Sequence, residues 1–241
     1  MLITLFLSLR QGGVPQRGEG VDNITKKLIT HNSLLIFNLN THMLYKIAHF
    51  LRDKMPFIWD LIDIVNSSMF TIRYGRGLKS VEKAVLHCYA QSSRMDIVPL
   101  SEVPTEKLVT FFAAQPEDAY TFFKPHAFDE KSLKKLQRNR SFLAYVLMYN
   151  GHIAAYCFIR SFFMGKGFRG RMVGMDFRGR GLGTLMNKLM NDIGFGIGLR
   201  LFETVSKDNI ASYRSALSAS RVKVVEELEH NELYLEILKE D

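Results

Sequence analysis

Cysteine is scarce in this sequence: Cys88 and Cys157 are the only two. That excludes a small secreted module stapled by disulfides and leads us to expect a reduced, cytoplasmic protein. There is no G-X-Y period, heptad array or repeat of roughly 20–50 residues, so fibrous and solenoid folds are set aside. The apolar stretch at residues 1–9 is far shorter than the ~20 residues that span a bilayer. No basic segment precedes it, as one would in a secretory signal. No G-x-S-x-G elbow, RNA-recognition signature or helix-turn-helix pattern occurs. The seven histidines show no metal-ligand spacing, and adjacent His87 and Cys88 cannot chelate as a C-x-x-C pair does. No metal is therefore expected. Between Glu130 and Asp176 there is no acidic residue at all.

What is present is the balance of a folded globular chain: 241 residues, 47% apolar and 23% charged. This is room for one large domain, or one ordinary domain with an extension. The net charge of +8 points to an anionic partner: nucleic acid, a membrane surface or a phosphorylated small molecule. The excess gathers at residues 160–180, where Arg160, Lys166, Arg169, Arg171, Arg178 and Arg180 face one acid, Asp176. That stretch is where an anion is to be sought.

The chain reads as three parts: a poorly ordered leader over 1–42, a helical extension over 43–90, and an α/β domain over 91–241. Met43 is an alternative start. In the extension, Leu44, Ile47, Ala48 and Leu51, then Phe57, Ile58, Leu61, Ile62 and Val65, recur at helical spacing. Pro56 is expected to divide them into two short helices. Basic residues flank these faces, so peripheral membrane contact through 43–72 is one reading. Packing on the main domain or on a second subunit, hence a homodimer, is the other, favoured because Asp53, Asp60 and Asp63 dilute the basic face.

From residue 94 strands and helices alternate. Residues 96–100 and 142–149 read as strands, and Asn150-Gly151 is a hairpin signal returning through 152–163. Helices are expected over 102–114, over 129–136 with Asp129 as N-cap, over 184–193 and over 210–218. Residues 165–170 read as a glycine-rich connection into a strand at 171–175. Another strand covers 200–205, and a terminal hairpin turns at His230-Asn231. The fold class is a mixed α/β (α+β) sheet.

The informative stretch is Arg178-Gly-Arg-Gly-Leu-Gly183, between a strand and a helix. Glycines let main-chain amides approach a bulky anion, and the helix after them turns its positive end on it. A P-loop would need lysine after the last glycine, and G-x-G-x-x-G is absent. The segment resembles the acetyl-CoA loop of the GNAT superfamily of N-acetyltransferases, Gln/Arg-x-x-Gly-x-Gly/Ala. The order of elements over roughly 94–238 is similar, and Asn209-x-Ala211-Ser212 resembles the family's Asn-x-x-Ala helix start.

The resemblance implies a GNAT-like acyl-CoA N-acyltransferase fold with an N-terminal helical extension, and acetyl-CoA as co-substrate. It implies that Arg178, Gly179, Arg180, Gly181, Leu182, Gly183 and Thr184, with Asn209, contact the CoA, and that pantetheine lies where the strands at 171–175 and 200–205 splay. An amine then attacks the thioester, its carbonyl polarised by a strand amide. A base is required, and Glu203 is the carboxylate candidate, with His126 and His152 as further options. The family's tyrosine acid falls at Ala216, so Tyr213 is the candidate substitute, and Ser220-Arg221 replaces the usual Gly-Phe. The segment 123–129 is similar to an aromatic Pro-His segment on the acceptor side, which makes Phe123 and His126 acceptor candidates beside Phe122 and Phe128. The reading is therefore an N-acetyltransferase acting on a primary amine; the helical pair followed by this domain resembles acetyltransferases of surface-polysaccharide biosynthesis, which implies a nucleotide-linked amino sugar as acceptor and leaves a peptide or small polyamine open. The rivals are a CoA-binding protein that has lost catalysis and a basic module that holds RNA or anionic lipid.

Overall fold

A computed structural model of the chain describes residues 56–93, 95–228 and 230–239. The expected leader and the helix expected before Pro56 lie outside the described residues. The chain divides into two units, Met1–Asp63 and Ile64–Asp241. The sheet, and the helical segments that cover it from Ile64 onward, belong to the second.

The first described helix, α1 (Pro56–Ser93), runs for 38 residues, where a short helix ending near residue 72 was expected. Pro56 sits at its first position, where a missing N–H costs nothing. Gly75 and Gly77 each weaken a helix by up to about 1 kcal/mol relative to alanine. They do not stop it, because Phe70, Tyr74, Leu78, Val85, Leu86 and Tyr89 keep helical spacing and pack into one core. Asn66 pins the early turns. Its amide donates to Ser141 Oγ and Ser161 O, both at 3.0 Å, and accepts from Phe163 N at 3.1 Å. Ile64, Val65, Met69 and Ile72 remain exposed. Among the described residues no helix is long and apolar enough to cross a membrane.

After α1 come β1 (Asp96–Pro99), α2 (Thr105–Ala113), α3 (Glu130–Arg138), β2 (Phe142–Tyr149), β3 (His152–Phe162), β4 (Lys166–Val173), α4 (Leu182–Gly196), β5 (Arg200–Ser206), α5 (Ile210–Leu217), β6 (Val222–Leu228) and β7 (Glu232–Ile237). Asp129 caps α3 by accepting from Ser132 N at 3.0 Å. The β2–β3 turn is made by Asn150 and Gly151, both at positive φ (48° and 79°).

The seven strands of the described residues form one sheet in the order β1-β2-β3-β4-β5-β7-β6, and among them only β4 and β5 run parallel. Burying both faces explains why β2 is a continuous apolar run without alternation. Against one face pack α1 and α4, with Tyr145, Leu147, Cys157 and Ile159 meeting Met186, Leu189, Met190 and Ile193. Against the other, Leu108, Phe111, Phe112 and Leu133 of α2 and α3 meet Phe142, Val146, Tyr156 and Phe158. Each such side chain contributes about 1.5–3 kcal/mol.

The glycine-rich residues 165–170 are strand, not connection. In β4 a Cβ on Gly167 would lie 2.7 Å from Ile159 Cγ2, and one on Gly170 would lie 2.6 Å from the Phe158 ring. These glycines let neighbouring side chains close on the backbone.

Candidate active site

β4 pairs with β3 along its whole length, from Lys166 opposite Phe162 to Val173 opposite Ala155. With β5 it pairs over three residues only, Lys166–Phe168 opposite Arg200–Phe202. Beyond that point β5 stays with β7, Leu201 through Ser206. The two strands therefore part while each keeps its outer partner. The result is a V-shaped gap in the sheet, with one main-chain edge of β4 turned into it.

The mouth of the V adjoins the glycine loop. After a single 3₁₀ turn at Met175–Phe177, α4 begins at Leu182, two residues before the expected Thr184. Gly181 is its N-cap with no side-chain cap, so the first-turn amides keep their donors. Gly179 and Gly181 adopt φ of 74° and 77°, and among the described residues nothing lies within 4 Å of where their Cβ atoms would be. Their conformation demands glycine, and the space beside them is open to a ligand. Gly183 has another reason: its Cβ would lie 3.0 Å from Ser215 Oγ of α5. Arg178 and Arg180 are not buried, and the Arg180 guanidinium stands 5.3 Å above the Phe177 ring.

Inside the V the basic stretch turns inward. Arg169 and Arg171 of β4 converge on Glu203 of β5, at 2.9 and 3.2 Å from the same oxygen, Oε2. All three are nearly sealed from solvent, with side-chain exposures of 0%, 8% and 3%. Arg169 also donates to Asn187 O at 3.5 Å and to Asn191 Oδ1. Arg171 donates to Ser212 O at 2.8 Å and to Ser212 Oγ at 3.0 Å. Arg169 Nη2, Asn187 Oδ1 and Glu203 Oε1 are buried and have no hydrogen-bond partner among the described residues. Burial raises the Glu203 carboxyl, but the two guanidiniums overcome it and hold the group below its ordinary value. Glu203, the carboxylate candidate for a base, thus stands as the counter-ion of two arginines. The sequence signal for this trio is an alternation, Arg169-x-Arg171, which places both charges on one face of a strand.

On the opposite face of the sheet, Phe123 reaches β4: a Cβ on Gly170 would lie 3.4 Å from its ring. His126 is enclosed by Phe112, Phe128, Phe142, Tyr156 and Phe158, with ring centroids 4.7–6.4 Å away. Its Nδ1 faces Ala127 O at 2.8 Å and its Nε2 faces Tyr156 Oη at 3.0 Å. A carbonyl only accepts, so Nδ1 carries the proton and Nε2 accepts from the tyrosine hydroxyl. Burial lowers this histidine to about 4. Phe122 is exposed, and Phe128 stacks on Phe112 at 4.3 Å. His152 is exposed at the hairpin.

At the apex of the V, on this same face, Phe168, Phe202 and Tyr234 lie side by side across β4, β5 and β7. Their centroids are 5.4–6.2 Å apart, with interplanar angles of 14–30°. Lys166 Nζ and the Arg200 guanidinium stand 5.5 and 5.3 Å from the Phe202 ring. No local pattern in the sequence announces this row, because its members come from three separate strands.

Of the other candidates, Asn209 caps α5, its Oδ1 accepting from Ser212 N at 3.1 Å. Tyr213 packs on Val205, Leu233 and Leu235, and Ala216 is fully buried.

Among solved structures the chain is similar to the GNAT domain of S. lividans PAT, with a TM-score of 0.53 and 13% identity over 59% of this chain and 89% of that one. The structure of yncA from Salmonella typhimurium with its cofactor acetyl-CoA gives 0.49 at 17% identity, covering 61% of this chain and 94% of that one. Campylobacter jejuni PseH with acetyl-CoA gives 0.47 at 16% identity, covering 61% and 99%. No family model matches the chain, and no curated protein matches it in sequence. The architecture, a mixed sheet split between its parallel strands, is the GNAT fold.

Proposed function

We propose that this protein is an N-acetyltransferase that moves the acetyl group of acetyl-CoA to a primary amine. The observation that carries the reading is the V between β4 and β5, opening beside an uncapped helix start. The residues fit the co-substrate. First-turn amides of Leu182, Gly183 and Thr184 would hold the diphosphate, and Arg178 and Arg180 would screen it. The space beside Gly179 and Gly181 admits it. Acetyl-CoA supplies a thioester, and the free edge of β4 offers main-chain N–H groups to its carbonyl. Holding thioester and amine together in the gap supplies much of the rate.

For the acceptor we propose a ring-bearing amine, a nucleotide-linked amino sugar of surface-polysaccharide biosynthesis being the reading the sequence favours. Its support is the aromatic row Phe168–Phe202–Tyr234 at the apex of the V, with Lys166 beside it and Phe123 against β4. Flat rings and an adjacent cation suit a stacked ring with an anionic group.

A second reading, a CoA-binding protein without catalysis, is favoured by the state of two candidate bases. Glu203 is locked between arginines, and His126 has both ring nitrogens engaged. Incubating a panel of amines with labelled acetyl-CoA separates the two: label transfer to an amino sugar supports the enzyme, and binding without transfer supports the second. The loop assignment has its own test. Gly181→Val forces a β-branched residue to φ 77° without touching the packed fold. Calorimetry should show acetyl-CoA affinity falling about 100-fold, roughly 2.7 kcal/mol. Unchanged affinity would remove the diphosphate from this loop. Binding that instead weakens with a logarithmic salt slope of about 0.7–0.9 per contacted phosphate would favour the RNA or lipid module.

A further inference from the structure

The ion trio in the V does not balance. Arg169 and Arg171 bring two positive charges, Glu203 brings one negative, and no other carboxylate contacts any of them among the described residues. The groups facing the trio from neighbouring elements are neutral: Asn187 and Asn191 of α4, Ser212 of α5, and Cys157 of β3, whose thiol burial pushes up to about 12. One positive charge is thus left over where β4 and β5 have stopped pairing.

Its location is specific. Arg169 is sealed completely, and its contacts with both Glu203 and α4 are structural. Arg171 keeps 8% of its side chain exposed. Two of its nitrogens are used, Nη1 on Glu203 and Nη2 on Ser212. Its Nε–H has no acceptor among the described residues, and Nε lies 4.0 Å from the site of a Gly183 Cβ, on the side of the glycine loop. A guanidinium is charged at every accessible pH and cannot act as an acid. What it can do is stabilise an anion at short range in a site of low dielectric.

Acetyl transfer from a thioester makes such an anion. The amine lone pair forms the N–C bond, the C–S bond breaks, and its electron pair leaves on sulfur. The proton lost from the amine goes to water. We propose that Arg171 receives the negative charge that collects on the CoA sulfur, serving in place of an acid. This rests on the acetyl-CoA reading above. It also accounts for the fully buried Ala216 and for Tyr213 packing on the β5–β7 core: the leaving thiolate is held by charge rather than protonated on the enzyme.

The test uses CoA itself and needs no acceptor. The thiol of CoA bound to the wild-type protein is titrated by thiolate absorbance, with desulfo-CoA as the blank and free CoA in the same buffer as the reference. A cation within about 4–6 Å favours the thiolate by one to three powers of ten, so the thiolate-to-thiol ratio of bound CoA should exceed that of free CoA about 10- to 1000-fold at the same pH. Arg171→Met should return the bound thiol to the ionisation of free CoA while Glu203 keeps Arg169 as counter-ion; Arg171→Lys should retain part of the effect. Bound CoA that ionises like free CoA in the wild type overturns the proposal without any variant having to fold. So does an Arg171→Met protein that still enriches the thiolate. CoA that fails to bind the wild type at all removes the acetyl-CoA reading along with it, and is recognised as a separate failure by the binding isotherm.

Discussion

The two edges of β4 are built from opposite materials. Toward β3 every residue from Lys166 to Val173 has a strand partner, and on one face of that seam Tyr156, Phe158 and Met172 pack into an apolar core. Toward β5 pairing ends after Phe168, and the span beyond is bridged by two arginines and a glutamate. A backbone edge left open inside a protein must find partners elsewhere. The closed edge shows what the chain does when packing alone is at stake. The open edge, held apart by long charged side chains rather than sealed by a ladder, shows where the fold has kept main-chain hydrogen-bonding capacity for something else.

The largest expected effect tests whether the charge bridge holds the open edge. Glu203→Gln leaves two buried guanidiniums without a counter-ion, which should destabilise the fold by about 3–5 kcal/mol. For a chain of this size that is a melting temperature lower by about 10 °C. The acid arm has a definite sign. The folded-state value of Glu203 lies below its unfolded one, so the contribution is complete above the unfolded value and is lost as pH falls through the folded value. Replacing Arg169 and Glu203 together by Met and Leu should recover most of the loss, because a removed pair leaves less uncompensated charge than a broken one. If Glu203→Gln unfolds at the wild-type temperature, the bridge is not what spans the gap.

The next effect belongs to the closed side. His126 accepts from Tyr156 Oη within the aromatic cluster over β2 and β3, and burial lowers it to about 4. Unfolded, it takes up a proton near pH 6.5. Between those values the unfolded chain binds more protons than the folded one, so stability falls with falling pH, by up to about 3 kcal/mol across the window. Urea midpoints at pH 7 and pH 4.5 read this directly. His126→Gln should flatten the fall; an equally steep fall in that variant would move the cause to another group.

The sequence made this contrast half legible. Its loop glycines, the Asn150-Gly151 turn, the Asp129 cap and the order of elements arise from local chemistry, and local chemistry is what a sequence displays. Two things were hidden. The basic stretch 160–180 promised an anion-binding surface, yet Arg169 and Arg171 lie inside, because their partner Glu203 sits on a strand more than thirty residues later. The glycines at 167 and 170 suggested a connection, whereas they admit Ile159, Leu201 and Phe158 against a strand. The same holds for α1, whose length depends on a core that only the folded sheet provides. Contacts distant in sequence decide each case.

The smallest effect concerns Asn209, which the family resemblance gives to the co-substrate and the geometry gives to α5. Its side chain accepts from Ser212 N, and Ser212 in turn accepts from Arg171 at the open edge. Asn209→Ala removes a helix cap, a loss of about 1 kcal/mol. That corresponds to a melting temperature lower by about 2–4 °C. If capping is the whole of its role, acetyl-CoA affinity measured by calorimetry should change by less than about threefold, under 0.7 kcal/mol. A tenfold loss of affinity at an unchanged melting temperature would place Asn209 on the ligand. The open edge would then extend past β4 and β5 to the start of α5, with Ser212 carrying the effect to Arg171.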